Sequence, residues 1–464
     1  MSQTQFSSTQ TPTKFSHQLP PGPRGYLLLS LPKIQQDSLG YLSQMWQEYG
    51  NLVRLPVVPS YTFYLAAHPN YVEHMLSTHQ ERYSKPDLFN KSMSLMVGQS
   101  ILTSEGDFWL KHRRLMQPAF HQKYLENLSS VMVSCTESLL EEWQQKLDNE
   151  VIDIVPEMMR LTLKIVGLAL FNKDISVESS TLGQAFREAF NYVSYKINNV
   201  WTEPLWIPTS RNLRFRQAKQ ILDRAVLDII NSRRQNPLET HDLLSMLLTA
   251  QDEVTKEGMT DKQLQDEVIT LVAAGHETVA SALSWTWYLL GKHPDVAANM
   301  QDELQTILNG SSPTIEKLPQ LAYTRRIFDE SMRLYPPSWG LPRVALEDDE
   351  IQGYFIPKGT IINIAQFIIH RHPEFWENPD QFDPDRFLPE KVNQRPKFTY
   401  FPFGAGQRIC IGKSFALMEA TIIMASIFQR FHIELVSHQS IEPDATFTLR
   451  PKYGIKVKVR KKVK

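Results

Sequence analysis

The segment Phe403-Gly404-Ala405-Gly406-Gln407-Arg408-Ile409-Cys410-Ile411-Gly412 carries the densest chemistry in the chain. It runs into a stretch whose apolar spacing predicts a helix to about Phe431. Gly404 and Gly406 would permit a tight turn with positive φ. Cys410 would then stand at a helix N-terminus, where the dipole and free amides stabilise a thiolate, the form in which cysteine binds a metal. Gly412 leaves room for a flat ligand to approach closely. Arg408 could pair with a carboxylate. The bland alternative is a buried cysteine in a Gly-rich turn.

Other constellations have spacings that suit this chemistry. Ala274-Gly275-His276-Glu277-Thr278 lies inside a long apolar helical pattern. Gly275 costs about 1 kcal/mol of helix propensity against Ala. The Thr278 hydroxyl can divert a backbone carbonyl and locally open the helix into a polar notch. The plainer alternative for Glu277 and Thr278 is a helix–helix hydrogen-bond pair. Glu330 and Arg333 share a helix face at i,i+3 spacing. Trp109 and Arg113 would sit one helical turn apart, and a guanidinium can grip a carboxylate with two hydrogen bonds. His112 could join them or face solvent.

The elements that must position these residues are mostly helical. Residues 40–50 read as an amphipathic helix. Two strand-like runs follow, Leu52–Leu55 and Thr62–Ala66, broken by Pro56 and Pro59. Residues 70–250 have mainly helical periodicity, as in Leu125–Leu147 and Phe215–Arg233. Thr260 and Gln263 have capping-box spacing, and a helix from there to about Lys292 has little polar face, so it should be buried. Helices near Asp295–Leu308 and Tyr323–Leu334 follow. Tyr354–Ile364 reads as a hairpin turning at Pro357-Lys358-Gly359. Residues 373–400 read as an irregular meander. Met1–Gln18 is polar and predicted disordered up to residue 19. Residues 20–460 show no internal repeat or low-complexity linker, which predicts one mostly helical domain with a small sheet region over residues 20–464.

Composition excludes several classes. Net charge is −1, so a basic nucleic-acid-binding face is not expected. The basic end, Lys456–Lys464, reads as a solvated strand and tail. Two cysteines, Cys135 and Cys410, cannot build a disulfide framework, and a reducing setting fits them. No apolar run reaches the length of a membrane span, and Tyr26–Leu31 could at most rest on a bilayer. The start of the chain lacks the pattern of a signal peptide. A cytoplasmic protein is the expectation. No Gly-rich loop of the nicotinamide or flavin kind is present.

The cysteine segment resembles the haem-binding loop of the cytochrome P-450 superfamily, Phe-x-x-Gly-x-Arg-x-Cys-x-Gly, through Phe403, Gly406, Arg408, Cys410 and Gly412. The family's other motifs follow the same order: Trp109-x-x-x-Arg113, Ala274-Gly275-x-Glu277-Thr278 and Glu330-x-x-Arg333. Pro384-Asp385-Arg386-Phe387 carries Asp where the family has Glu. The resemblance runs from Pro20-Pro21-Gly22-Pro23 to the C-terminal strands. That opening and Leu334-Tyr335-Pro336-Pro337 look like the microsomal-type branch, here as a soluble bacterial-type member.

The resemblance implies a mainly α fold with a small β-sheet region. It implies haem b with Cys410 as axial ligand, and a thiolate there favours O–O cleavage. Trp109, Arg113, Arg408 and Arg343 would hold the propionates, with Phe403 and Gly412 against the haem. Gly275 would give room over it. Thr278 would organise water beside O2 and Glu277 would help deliver protons. Glu330, Arg333 and Arg386 would form a structural salt-bridge triad. Substrate candidates are Phe89, Met93, Met96, Val272, Ala274, Trp339 and Leu341, all of which could equally be core. A lid over residues 190–210, with Tyr192, Tyr195, Trp201 and Trp206, could touch membranes peripherally. The stretches Ala273–Trp285 and Tyr335–Trp339 look similar to carotenoid-ring and fatty-acid hydroxylases, so the expected substrate is a lipophilic fatty acid, terpenoid or carotenoid. Electrons would come from a separate ferredoxin or flavodoxin with its reductase. Lys111, Arg114 and Lys413 could attract that partner or be ordinary solvated charges. A monomer is expected. The rivals are a peroxide-using or rearranging haem-thiolate enzyme and a haem sensor.

Overall fold

The computed structural model describes residues 18–25, 30–58, 61–146, 149–176, 181–199, 202–235, 242–252 and 256–462. The predicted disorder of residues 1–19 falls almost wholly outside them. In chain order the longer helices are α1 (Ser38–Tyr49), α2 (Asp87–Val97), α3 (Gly106–Met116), α4 (Gln122–Lys146), α5 (Ile154–Phe171), α6 (Leu182–Asn198), α7 (Ser210–Gln235), α8 (Asp261–Lys292), α9 (Pro294–Ile307), α10 (Ala322–Leu334) and α11 (Lys413–Arg430). The strands are β1 (Leu52–Val58), β2 (Tyr61–Ala66), β3 (Tyr83–Ser84), β4 (Glu150–Asp153), β5 (Leu341–Ala345), β6 (Asp349–Ile351), β7 (Tyr354–Ile356), β8 (Ile361–Ile364), β9 (Phe431–Leu435), β10 (Pro443–Ala445), β11 (Leu449–Pro451) and β12 (Lys456–Lys461).

The chain forms two compact units. The smaller contains residues 18–84 and Pro342–Ile364. It holds a five-stranded sheet in the order β1-β2-β8-β5-β3. Two of its strands depart from the expected pattern. Pro56 does not end the first strand: β1 continues through it, and the register shifts between Pro56 and Val58. An edge strand tolerates a residue without an amide donor. The hairpin also pairs differently. β7 pairs with β6 around Gln352-Gly353, both at positive φ, as a tight two-residue turn requires. β8 pairs instead with β2, in parallel. Pro357-Lys358-Gly359 therefore carries the chain from one sheet to another.

A polar latch ties this unit together. Buried Asp349 accepts hydrogen bonds from Tyr83 Oη at 2.7 Å and Arg82 at 3.0 Å, and lies 2.7 Å from His74 Nε2. Burial works against its ionisation, but the bonds to His74 and Tyr83 outweigh it and hold the carboxyl below the usual aspartate range. A lowered native pKa gives stability that is complete above the ordinary value of about 3.9 and fades as pH falls through the native value. Asp349→Asn should therefore cost about 2 kcal/mol at neutral pH. Thermal denaturation at several pH values checks this: the gap to wild type must close on acidification, and a constant gap would refute the linkage.

The larger unit spans Lys85–Leu341 and Ala365–Lys464. Its axis is α8. Thr260 caps that helix through its side chain, and the reciprocal bond from Gln263 completes the capping box. From Leu264 to Leu290 most of α8 is buried, including Trp285 and Trp287. Gly275 lets α5 come close, because a Cβ there would meet Val166 at 2.9 Å. That corrects the expectation that Gly275 clears space for a haem. At the end of the unit, β12 lies between β4 and β9.

Candidate active site around Cys410

The cysteine segment folds as its glycines require. Gly404 and Gly406 have φ of 73° and 67°, a region in which a Cβ is strained. The Gly404 amide donates to the Phe401 carbonyl, and the Cys410 amide donates to the Phe403 carbonyl, each at 2.9 Å. The turn thus folds back and presents Cys410 two residues ahead of Gly412, the N-cap of α11.

Cys410 is exposed, yet surrounding protein desolvates it enough to raise its thiol pKa. The Gly412 amide, Arg113 and Lys413 oppose the rise without cancelling it. The amide at the helix N-terminus thus favours the thiolate, as the sequence leads one to expect, but does not by itself offset burial. Metal coordination does, since it deprotonates a thiol outright. Gly412 supports the same reading. Its φ of −84° suits any residue, so backbone geometry does not demand glycine. A Cβ there would stand 3.9 Å from Cys410 Sγ, with no other atom within 4 Å. A side chain would intrude on space beside the sulfur. Among the described residues no cluster of three or more His, Cys, Asp or Glu could hold a bare metal ion. A single thiolate suits a metal that brings its own equatorial ligands, so these residues fit a haem.

Trp109, Arg113 and Arg408 gather around the same turn. Arg113 Nη1 donates to the Ile409 carbonyl at 3.0 Å. The Arg408 guanidinium stacks on buried Trp109, 3.8 Å from the ring centroid. It also donates to the Ser104 carbonyl at 3.0 Å and pairs with Glu105. Sequence reasoning missed Glu105, which is 303 residues from Arg408 and has no local signal. Phe403 is half-buried, with Lys413 Nζ 6.0 Å from its ring. Arg343 belongs to the smaller unit, on β5, and donates to the Pro342 carbonyl.

On α8, Thr278 Oγ1 donates to the Ala274 carbonyl at 2.8 Å. The helix nevertheless stays continuous from Asp261 to Lys292, so no opened notch forms. Ala274 is exposed and Thr278 partly so, in the middle of this buried helix. Glu277 turns another way and accepts a hydrogen bond from Thr448 Oγ1 at 2.7 Å. His276 is buried, its pKa lowered by desolvation, with Nδ1 2.9 Å from the Val272 carbonyl. His112 is fully buried too: it sits 2.5 Å from Glu267 and stacks on Phe108. The solvent-facing alternative for His112 is thereby excluded.

The Glu330, Arg333 and Arg386 side chains come together. Arg333 makes paired bonds to Glu330 at 2.6 and 2.8 Å. Arg386 Nε reaches Glu330 at 3.4 Å as an ion pair, while its Nη2 donates to the Asn378 carbonyl.

The pocket candidates separate. Met93, Met96 and Val272 are core residues of one buried cluster, against which half-buried Phe89 and Ile411 pack. Half-buried Trp339 donates to the Thr446 carbonyl at 3.1 Å. Leu341 lies beside the cysteine turn, since a Cβ at Gly404 would meet it at 3.9 Å. In the proposed lid, Tyr192 is buried and stacks on Phe215 at 4.1 Å. Trp206 is 74% exposed, and Trp201 lies outside the described residues. Lys111 and Arg114 are engaged with Glu257 and Asp252 at 2.6 and 2.8 Å. Lys413 remains exposed.

This helical fold and cysteine turn are those of a haem-thiolate enzyme, and comparison with known proteins agrees. The Cytochrome P450 family model matches residues 19–459. The chain belongs to the cytochrome P450 family, whose members use haem. It is 34% identical to the cyclooctat-9-en-7-ol 5-monooxygenase of Streptomyces melanosporofaciens, over 86% of this chain and 88% of that protein. It is 32% identical to the pentalenene oxygenase of Streptomyces avermitilis, over 89% of each. It is 30% identical to Protein LUTEIN DEFICIENT 5, chloroplastic, of Arabidopsis thaliana, over 91% of this chain and 74% of that protein. The protein is a P450 monooxygenase. No described helix is long and apolar enough to cross a membrane.

Proposed function

We propose that this enzyme inserts one oxygen atom into an apolar terpenoid, with electrons from a separate carrier and Cys410 as the thiolate that would hold the haem iron. The observation that carries the substrate reading is the face of α8: exposed Ala274 interrupts a buried apolar helix, with Thr278 as the polar group one turn on. Such a wall binds hydrocarbon by burial and offers one hydroxyl for orientation. The names of the cyclooctat-9-en-7-ol and pentalenene relatives support the terpenoid class over fatty acids. When bound, the haem supplies O2 binding and activation, favoured by thiolate ligation.

The chain's own residues do the rest. Arg113 and Arg408 orient the propionates by charge-assisted bonds. Thr278 holds water near the oxygen site, and Glu277 passes it protons from the protein side. Phe89 and Leu341 exclude bulk water. Lys413, exposed next to the cysteine turn, is the cation left to meet an acidic ferredoxin-type donor, because Lys111 and Arg114 are already paired.

Optical titration of the haem-loaded protein tests the substrate class. Pentalenene should shift the Soret band, while palmitate should not. A shift with palmitate alone overturns the terpenoid reading. Thr278→Ala should keep the haem spectrum but lower product per electron about tenfold or more, with peroxide released instead. Unchanged coupling in that variant would remove Thr278 from the proton path.

A further inference from the structure

The Glu277 carboxylate does not share an outlook with Thr278. Thr278 lies on the stripe of α8 that includes exposed Ala274, and its hydroxyl is bonded to the Ala274 carbonyl. Glu277 stands about 100° further round the helix, is buried, and meets the segment that leads into β11. Its neighbours on that stripe, one and two turns on, are Ser281 and Trp285. Both donate to the Leu449 carbonyl, at 2.6 and 2.9 Å. The Leu449 amide donates in turn to the Pro337 carbonyl at 2.9 Å, and the Thr446 carbonyl accepts from Trp339. Residues 446–449 are thus pinned on both sides of Thr448. A buried hydroxyl on a pinned backbone, 2.7 Å from a buried carboxylate, gives that carboxylate one preferred place.

We propose that Thr448 is the positioning residue for Glu277: its hydroxyl fixes the carboxylate from which protons reach the oxygen site. Thr448 touches neither substrate nor haem in this role and acts only through Glu277. The inference rests on the reading of Glu277 as the proton-delivering acid. Any residue that keeps a hydroxyl here should serve. An isosteric methyl should leave the fold intact and free the carboxylate to adopt other rotamers. A Glu side chain has several, and a bond of this kind selects one. His276 turns to the Val272 carbonyl, and Arg187 on α6 is exposed.

The test uses haem-loaded wild type, Thr448→Val, Thr448→Ser, Glu277→Gln and the Thr448→Val/Glu277→Gln double variant. The first readout is infrared difference spectroscopy of the resting protein. The band lost in Glu277→Gln identifies the Glu277 carboxylate. Thr448→Val must shift or broaden that band, and Thr448→Ser must leave it in place. An unmoved band in Thr448→Val overturns the proposal. The second readout is hydrogen peroxide formed per NADPH oxidised in air, with a plant-type ferredoxin and its reductase as donors. Without added substrate, O2 takes two electrons and two protons to peroxide or four of each to water. Thr448→Val should raise the peroxide share about threefold, the scale of coupling between contacting residues. Thr448→Ser should restore it, and the double variant should release no more than Glu277→Gln alone. An equal rise from Thr448→Val in the Glu277→Gln background means that Thr448 acts by another route, and the proposal fails. If Glu277→Gln itself leaves the peroxide share unchanged, the proton-delivery role of Glu277 falls, and the infrared band still decides whether Thr448 positions that side chain.

Discussion

Cys410→Ala should abolish the red-shifted Soret band of the carbon-monoxide complex and slow oxygen insertion at least a thousandfold, about 4 kcal/mol of barrier. The expectation follows from how little could replace this thiol. The only other cysteine is Cys135, buried on α4 among apolar side chains. Desolvation pushes its thiol up to about 12, and, unlike exposed Cys410, it is packed inside the core where a haem iron could not reach it. The nearby groups Arg113, Arg408 and Lys413 are cations without lone pairs to give. A variant that kept the band would mean that another residue ligates the iron. Haem content measured beside the spectrum separates loss of the ligand from loss of the cofactor.

Arg333→Ala should be the most destabilising single change, at about 4 kcal/mol. The guanidinium is fully buried. Besides its paired bonds to Glu330, it donates to the carbonyls of His370, Pro379 and Gln381 at 2.6 to 2.9 Å. It also lies 4.9 Å from the Trp376 ring centroid. Removal would leave the Glu330 carboxylate buried with Arg386 at 3.4 Å as its remaining counter-ion. It would also release the meander that α10 holds through those carbonyls. Arg333→Lys should not rescue, because an ammonium cannot reproduce the planar fork. Thermal unfolding of the haem-loaded protein measures the effect. A loss of less than about 1 kcal/mol would show that the network has little structural weight.

Local chemistry was legible in the sequence wherever partners are close along the chain. The Thr260–Gln263 capping box, the Gly404 and Gly406 turn and the Glu330–Arg333 pair all fall within one or two helical turns. Long-range pairing was not legible. Apolar runs on either side of Pro357-Lys358-Gly359 marked Phe355-Ile356 and Thr360–Ile364 as strands, but a local pattern does not say which strand each joins, and the predicted hairpin between them does not exist. Gly275 carried a true signal of close approach, while its neighbour turned out to be Val166 on α5. Glu105 and Thr448, the partners of Arg408 and Glu277, gave no signal, since ordinary acidic and hydroxyl residues acquire a role only when distant segments meet. The methionines at 93 and 96 illustrate a limit of composition: an adaptable apolar side chain reads the same in a pocket and in a core, and here both are core.

Every role assigned to the residues around the cysteine turn depends on Cys410 as the thiolate ligand of a haem, and the reduced carbon-monoxide difference spectrum of the wild-type holoprotein tests that ligation most directly. A strongly red-shifted Soret band is the predicted result. A histidine-type Soret band, or failure of the protein to take up haem, would contradict it.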